Sequence, residues 1–242
     1  DDTAGFLESS SGSQIEGLLQ LGLHCRGSHC RRPATRYPVM LLHGMAGRPS
    51  YFGLVRYWGH IPEVLSQGEL GVDIHLGDVS PIAHSFHRAQ QLQAQVEEIL
   101  KKTGAERVHL IAHSQGGLDA RVLMGAYGGA HRVASLTSLG SPHHGTPLKR
   151  EHPAWTGMDF RRSYIKRWFN PRLPYIAEIP QISIAGRACM IFDEACKARA
   201  QGLWGSVRFL FWPFAAKTGR LQGDNDGVVS LSAARWGKIF RV

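Results

Sequence analysis

The fold of this chain is most tightly constrained between residues 85 and 120, where SFHRAQQLQAQVEEILKKTG runs almost directly into RVHLIAHSQGGLDA. The first part sets Phe86, Ala89, Leu92, Val96, Ile99 and Leu100 at three- and four-residue steps, the spacing of an amphipathic helix. Ser85 is placed to cap its start, Lys101 and Lys102 stand in the last turn, and Gly104 follows as a terminator. The second part is a short apolar run that ends in small residues. Further strand-like runs recur along the chain: PVMLLHG (38–44), GVDIHLGDV (71–79), VASLTSLGS (133–141), QISIAG (181–186) and GKIFRV (237–242). Apolar runs alternating with helical patterns predict an α/β fold with a mostly parallel sheet covered by helices. A length of 242 residues fits a single domain of this kind.

The organised domain is expected over 37–242. Residues 1–36 combine a Ser/Gly-rich start, a short apolar piece and a Cys/Arg segment, which reads as an N-terminal extension. Their first residues, DDTAGFLESSSGS, carry no initiating Met, basic n-region or apolar h-region, so no signal peptide is visible and the chain reads as processed or internal. With 43% hydrophobic and 19% charged residues the chain is neither fibrous nor wholly disordered. The richest apolar stretch, LWGSVRFLFWPFAA at 203–216, contains Arg208 and falls short of the roughly 18 uninterrupted residues that a spanning helix needs. A transmembrane protein is therefore not expected.

The net charge of +9 is uneven: residues 149–172 hold seven Lys/Arg against Glu151 and Asp159. A solvated surface accounts for this, and attraction to anionic lipid is the sharper alternative. No nucleic-acid motif accompanies it. Cys25 with Cys30 and Cys189 with Cys196 permit two local disulfides, with connectivity left open. HCRGSHC at 24–30 has a gap that matches no zinc pattern.

The chemistry centres on Ala112-His113-Ser114-Gln115-Gly116. A serine at a sharp strand-to-helix turn presents its hydroxyl as a nucleophile, and small residues two before and two after it keep neighbouring backbone clear. Ala112 stands where the G-x-S-x-G elbow has its first glycine. His43-Gly44-Met45 closes the strand PVMLLHG, and the loop there can donate one backbone N–H to an oxyanion while the residue after the nucleophile donates another. Met45 and Gln115 are the candidates, with His43 ordering the loop. In GDNDGVVS (223–230), Asp226 is the candidate acid that orients a histidine, and Asp224 serves the turn.

Together, PVMLLHGMAG, the block from RAQQLQAQ to SQGGLDAR, LTSLGSPHHGTP and NDGVVS resemble the bacterial true lipases of the α/β-hydrolase fold, of the kind secreted by pseudomonads and Burkholderia. The resemblance implies helices on both faces of the sheet, Ser114 as nucleophile, Asp226 as acid, Met45 and Gln115 as oxyanion donors, a lipid or ester substrate at a lipid–water interface, secretion, and a folding chaperone. It implies no organic cofactor. It does imply a structural calcium ion held by two aspartates, one of them just after the catalytic histidine; for the other ligand Asp193 and Glu194 are the candidates. It also places the base shortly after the last strand. All thirteen histidines (24, 29, 43, 60, 75, 84, 87, 109, 113, 131, 143, 144 and 152) precede Asp226, so the base is expected beyond Val242. His113, His143 and His144 are weaker internal candidates. Residues 148–222, rich in aromatic and basic side chains, are expected to hold a helical lid over an acyl cleft. Triacylglycerol hydrolysis is the expected activity. The alternatives are an esterase, phospholipase or polyester depolymerase, or a hydrolase-fold protein that has lost its chemistry and binds lipid or a partner.

Overall fold

The computed structural model describes residues 35–53, 55–67, 71–147, 160–187, 218, 220 and 223–242. Six strands form one sheet in the order β4 (Ile74–Gly77), β1 (Val39–Leu42), β5 (Val108–His113), β6 (Val133–Leu139), β7 (Gln181–Ile184) and β8 (Ile239–Arg241). Every neighbouring pair in it is parallel. Each strand falls inside one of the six apolar runs. A two-stranded antiparallel ribbon, β2 (Ser50–Tyr51) with β3 (Val55–Arg56), had no signal in the sequence, because two-residue strands are too short to show alternation.

β1 is buried at all four positions, as a central parallel strand must be. Its side chains alternate between two cores. Met40 and Leu42 join Leu110, Ala112, Leu118 and Leu123 in the larger core under α2 (Ser85–Thr103) and α3 (Gln115–Gly125). Val39 and Leu41 face the opposite way, against Trp58, Val72 and Leu65 of α1 (Ile61–Gln67). Helices thus cover both faces. Each fully buried aliphatic side chain contributes about 1.5–3 kcal/mol relative to exposure, which makes the pattern of β1 a strong determinant of the fold.

α2 buries Ala89, Leu92, Val96 and Ile99 as the periodicity predicts, and ends at Gly104 in the left-handed region (φ 69°) with its N–H on Leu100 O at 2.9 Å. Its start differs from expectation. The cap is His84, at φ −67° and ψ 146°, whose Nδ1 accepts from the Phe86 N–H at 3.4 Å. Ser85 is the first helical residue, buried, and its hydroxyl is turned inward to meet Gln115 Nε2 at 3.4 Å.

The described part of 148–222, where a lid is expected, holds strand β7 of the sheet and a helical stretch, α4, made of Arg162–Tyr164, a π turn over Ile165–Phe169, and Asn170–Arg172. Phe160, Ile165 and Phe169 are buried in the larger core, so these aromatic and aliphatic side chains pack on the body of the protein. Trp168 is half-exposed and stacks on Tyr164 with ring centroids 5.2 Å apart. Residues 1–34, Cys25, Cys30, Cys189, Cys196, Asp193, Glu194, Trp155 and the aromatic stretch at 203–214 lie outside the described residues. Asp226 lies in the described loop 223–230, which leads into α5 (Leu231–Ala234) and β8. Among the described residues no helix is long and apolar enough to cross a membrane.

Candidate active site

β5 and α3 meet at Ser114, which holds φ 53° and ψ −122°. A non-glycine residue there is strained by roughly 1–3 kcal/mol, so its surroundings must enforce it. They do so by close backbone approach. A Cβ on Gly116 would lie 2.9 Å from Leu42 O and 3.0 Å from His43 O, and one on Gly117 would lie 2.2 Å from Ser141 Oγ. With Ala112 fully buried, the small residues on both sides of Ser114 are sterically required. Ser114 itself is partly exposed.

The loop after β1 lies against this turn. A Cβ on Gly44 would sit 2.7 Å from Ser114 Cβ and 3.2 Å from its Oγ. Gly44 O accepts from His43 Nδ1 at 2.8 Å and from Arg88 Nη1 at 3.4 Å. The other ring nitrogen, His43 Nε2, accepts from the Val79 N–H at 3.4 Å, which leaves Nδ1 as the donor. In a planar trans peptide the carbonyl and the following amide point opposite ways. Fixing Gly44 O therefore aims the Met45 N–H away from Arg88. Among the described residues the amides of Met45 and Gln115 make no hydrogen bond, and both belong to the segments that flank Ser114. Ala46, at φ 55°, continues the loop and donates its N–H to Pro81 O at 2.7 Å.

Two residues here were invisible to sequence reading. Arg88, wholly buried on α2, donates to Asp119 Oδ2 at 2.7 Å and to the carbonyls of Ser80 and His43 at 2.8 Å each. Asp119 is on α3, so one guanidinium ties the β1 loop to the helix that follows Ser114. Burial pushes the Asp119 carboxyl up to about 6, against the opposing pull of Arg88. Tyr57 is the second: its hydroxyl accepts from the Gly44 N–H at 2.9 Å and lies 2.5 Å from His113 Nδ1. Which of Tyr57 Oη and His113 Nδ1 donates in that contact depends on the His113 tautomer. Burial raises the Tyr57 pKa and lowers that of His113, so both stay neutral.

Asp226 stands on the loop before α5. Its Oδ1 accepts from the amides of Val228 and Val229 at 2.9 and 2.8 Å. A Cβ on Gly140, the residue after β6, would come within 2.8 Å of Oδ2, and one on Gly186 would reach 3.5 Å from Asp226 Cβ. The residue as a whole is exposed, yet its carboxyl group is enclosed, and that enclosure pushes its pKa up against the pull of the two amides and His113. Ser114, Gly44 and Asp226 thus share the carboxyl edge of the sheet.

Three of the histidines, His24, His29 and His152, lie outside the described residues, and none of the other ten is hydrogen-bonded to Ser114. His113 is engaged by Tyr57, and His143 is buried with Nε2 3.0 Å from Ser138 Oγ and its ring stacked on Trp236. Among the described residues no three His, Cys, Asp or Glu side chains gather as a metal site. The two candidates for the expected calcium, Asp193 and Glu194, lie outside the described residues, and the chemistry proposed for this site uses no metal.

Residues 37–178 match the alpha/beta hydrolase fold family. The chain belongs to this family. Within it, the chain is 39% identical over 116 residues to a triacylglycerol lipase of Pseudarthrobacter phenanthrenivorans, covering 47% of this chain and 35% of that protein. A triacylglycerol lipase of Burkholderia plantarii matches equally, at 39% over 116 residues, with 31% of its length covered. The chain thus spans about a third of the length of these curated relatives. Among solved structures, the mature Bacillus licheniformis lipase BlEst2 superimposes with a TM-score of 0.65 at 20% identity, over 85% of this chain and 82% of that one. It shares the hydrolase fold.

Proposed function

We propose that this hydrolase cleaves carboxylic esters of lipids, with triacylglycerols as the substrate class, through an acyl-enzyme on Ser114. The observation that carries the reading is the strained Ser114 backbone, with Gly44 packed on its side chain and the unpaired Met45 and Gln115 amides beside it. The 39% identity to triacylglycerol lipases supports the choice of lipid esters.

In this mechanism Ser114 Oγ attacks the ester carbonyl carbon and the carbonyl electron pair moves onto oxygen. The Met45 and Gln115 N–H groups donate to that oxyanion, and removal of one such donor costs about 10²–10³ in kcat. An imidazole whose N–H is held by Asp226 takes the Ser114 proton and passes it to the leaving alcohol. Water, activated by the same base, then releases the fatty acid. The chain's own contribution is rigidity: Arg88 and His43 fix the Gly44 to Met45 peptide, Tyr57 fixes the preceding amide, and Val228 and Val229 fix Asp226. Leu118, Phe160, Tyr164, Ile165 and Phe169 form a largely apolar wall, with His84, Ser85 and Gln115, around a cavity of only about 10 Å³, so an acyl chain enters there only if these side chains part. The resemblance to secreted lipases supports action outside the cell at a lipid–water interface, and a folding chaperone.

A fluorophosphonate probe is expected to label the chain at Ser114, with the label lost in Ser114→Ala. Hydrolysis is expected to favour emulsified long-chain triacylglycerols over soluble short-chain esters. Labelling that persists in Ser114→Ala refutes the nucleophile, and a preference for soluble esters refutes the lipase reading in favour of an esterase.

A further inference from the structure

A cavity of about 260 Å³ is lined by residues of three segments that have no part in the proposed chemistry. It is lined by His144 from the loop after β6, Arg162 and Lys166 from α4, and Ser232 and Ala233 from α5. At roughly 30 Å³ of liquid volume per water, this is room for several waters or for one tetrahedral oxyanion.

The walls are built. His144 donates its backbone N–H to Ala233 O at 2.9 Å, which joins the β6 loop to α5. Gly145, at φ 78°, brings the loop so close to α4 that a Cβ there would sit 2.6 Å from Arg162 Cα. The Thr146 N–H donates to Phe160 O at 2.8 Å, and Thr146 bridges to Arg161. These contacts fix the root of Arg162. Lys166 follows four residues later, on the same helical face.

The charge is one-sided. Among the described residues no carboxylate pairs with Arg162 or Lys166, while Asp224 is taken by Arg187 at 3.4 Å and Asp226 by the amides of Val228 and Val229. Both cations are exposed and solvated, so they coexist at little cost, and an anion entering the cavity meets two positive charges with no carboxylate among the described residues to oppose it. The donors also approach from different elements: a planar guanidinium fork, a rotatable ammonium, and the Ser232 hydroxyl, which lies 3.0 Å from Ser230 Oγ and turns from it to meet an anion. A planar carboxylate is satisfied by the fork alone, whereas a tetrahedral anion with three or four oxygens uses all of them.

We propose that this cavity is a phosphate-binding site, with Arg162 and Lys166 as its cations and Ser232 as a hydroxyl donor. The phosphate is that of an anionic lipid headgroup or of free phosphate. Part of the excess positive charge of residues 149–172 is thereby given a specific place. His144 follows the carboxyl end of β6, the edge of the sheet that carries Ser114, so a headgroup bound beside it brings that edge towards the lipid.

The test uses the full chain carrying Ser114→Ala, so that binding is read independently of ester hydrolysis. Calorimetric titration with inorganic phosphate is expected to show one saturable site. The double change Arg162→Gln with Lys166→Gln is expected to weaken it at least about tenfold, and Ser232→Ala severalfold, in line with the loss of charged hydrogen bonds. Both cations are exposed, so the fold is retained, as a thermal melt will confirm. A control removes the same charge elsewhere, Lys101→Gln with Lys102→Gln at the end of α2, and is expected to leave phosphate binding unchanged. Co-sedimentation with phosphatidylglycerol vesicles, against phosphatidylcholine vesicles, assigns the source: loss of phosphatidylglycerol binding in the Arg162/Lys166 double variant, with competition by phosphate, identifies the headgroup, and phosphate binding without vesicle binding identifies the free ion. The proposal is overturned if the chain binds no phosphate, if the control weakens binding as much as the double variant, or if laurate occupies the site in preference to phosphate.

Discussion

Arg88→Met tests whether one buried cation holds the active-site loop. Methionine keeps most of the length and apolar volume of the side chain but removes every donor. The structure loses the Asp119 ion pair and the bonds to Ser80 O, His43 O and Gly44 O. Removing one partner of a buried pair costs about 3–5 kcal/mol, because the other charge stays buried without compensation. Against a total stability of about 5–15 kcal/mol, this is a large fraction. Urea unfolding should show it as a lowered midpoint with an unchanged slope. The second substitution separates stability from positioning. Arg88→Met combined with Asp119→Asn removes the stranded charge, so the double variant should be more stable than Arg88→Met alone. It does not restore the tether on Gly44 O. Misplacement of a reacting group by about 1 Å costs on the order of 10²-fold. The rate of fluorophosphonate labelling should therefore stay depressed in both variants. Recovery of the full labelling rate in the double variant refutes the positioning argument. A loss below about 1 kcal/mol in Arg88→Met refutes the ion-pair argument.

Three other changes probe neighbouring contacts. Asp119 has a native pKa of about 6 against an ordinary 3.8, so the folded chain takes up a proton before the unfolded chain does as pH falls. Its contribution thus becomes more stabilising from about pH 7 down towards 4, by on the order of 3 kcal/mol, and Asp119→Asn should remove that slope from a series of urea midpoints; an identical slope in the variant defeats the reading. Tyr57→Phe leaves the Gly44 N–H without its partner at a cost of about 1–3 kcal/mol, with slower labelling of Ser114; a variant as stable and as reactive as the parent would show that the hydroxyl is idle. Gly116→Ala forces a Cβ against two backbone carbonyls and should destabilise by about 1–3 kcal/mol or more, as read by thermal melting; an unshifted melt would mean that the turn yields easily.

Much of this architecture was legible because its signals are local. The six strand runs, the α2 periodicity and Gly104 as terminator each depend on residues within a few positions of one another. The small residues around Ser114 are equally local, since a tight turn excludes side chains from its own neighbours. Arg88 and Tyr57 lacked any such signal. The partners of Arg88 are 8, 31, 44 and 45 residues away and those of Tyr57 are 13 and 56 away, so their burial depends on how the strands are ordered. In the sequence Arg88 reads as one more polar position on a surface helix. The cap of α2 moved from Ser85 to His84 for a similar reason: the Ser85 hydroxyl is drawn to Gln115, which only the tertiary fold brings near.

The strain at Ser114 and the tethering of Gly44 have a common origin in the pairing of β1 with β5. That pairing sets Leu42 opposite Ala112. Two residues further along each chain are Gly44 and Ser114, and the 2.7 Å approach of a Gly44 Cβ to Ser114 Cβ shows that the two segments stay in register past the last ladder bond. The sheet therefore delivers the strained serine and the loop that would supply an oxyanion donor to the same point, with no side chain between them. What the sheet does not fix is the orientation of the loop peptide, because the ladder has ended and the backbone groups there would otherwise turn to water. Arg88 and His43 on the Gly44 carbonyl, and Tyr57 on its amide, take over that role from opposite sides. A slip of one residue between β1 and β5 would disrupt the elbow packing and the tether together, since β1 would also turn its apolar side chains to the wrong cores. The hydrophobic pattern that specifies the fold is in this way the same pattern that assembles the site.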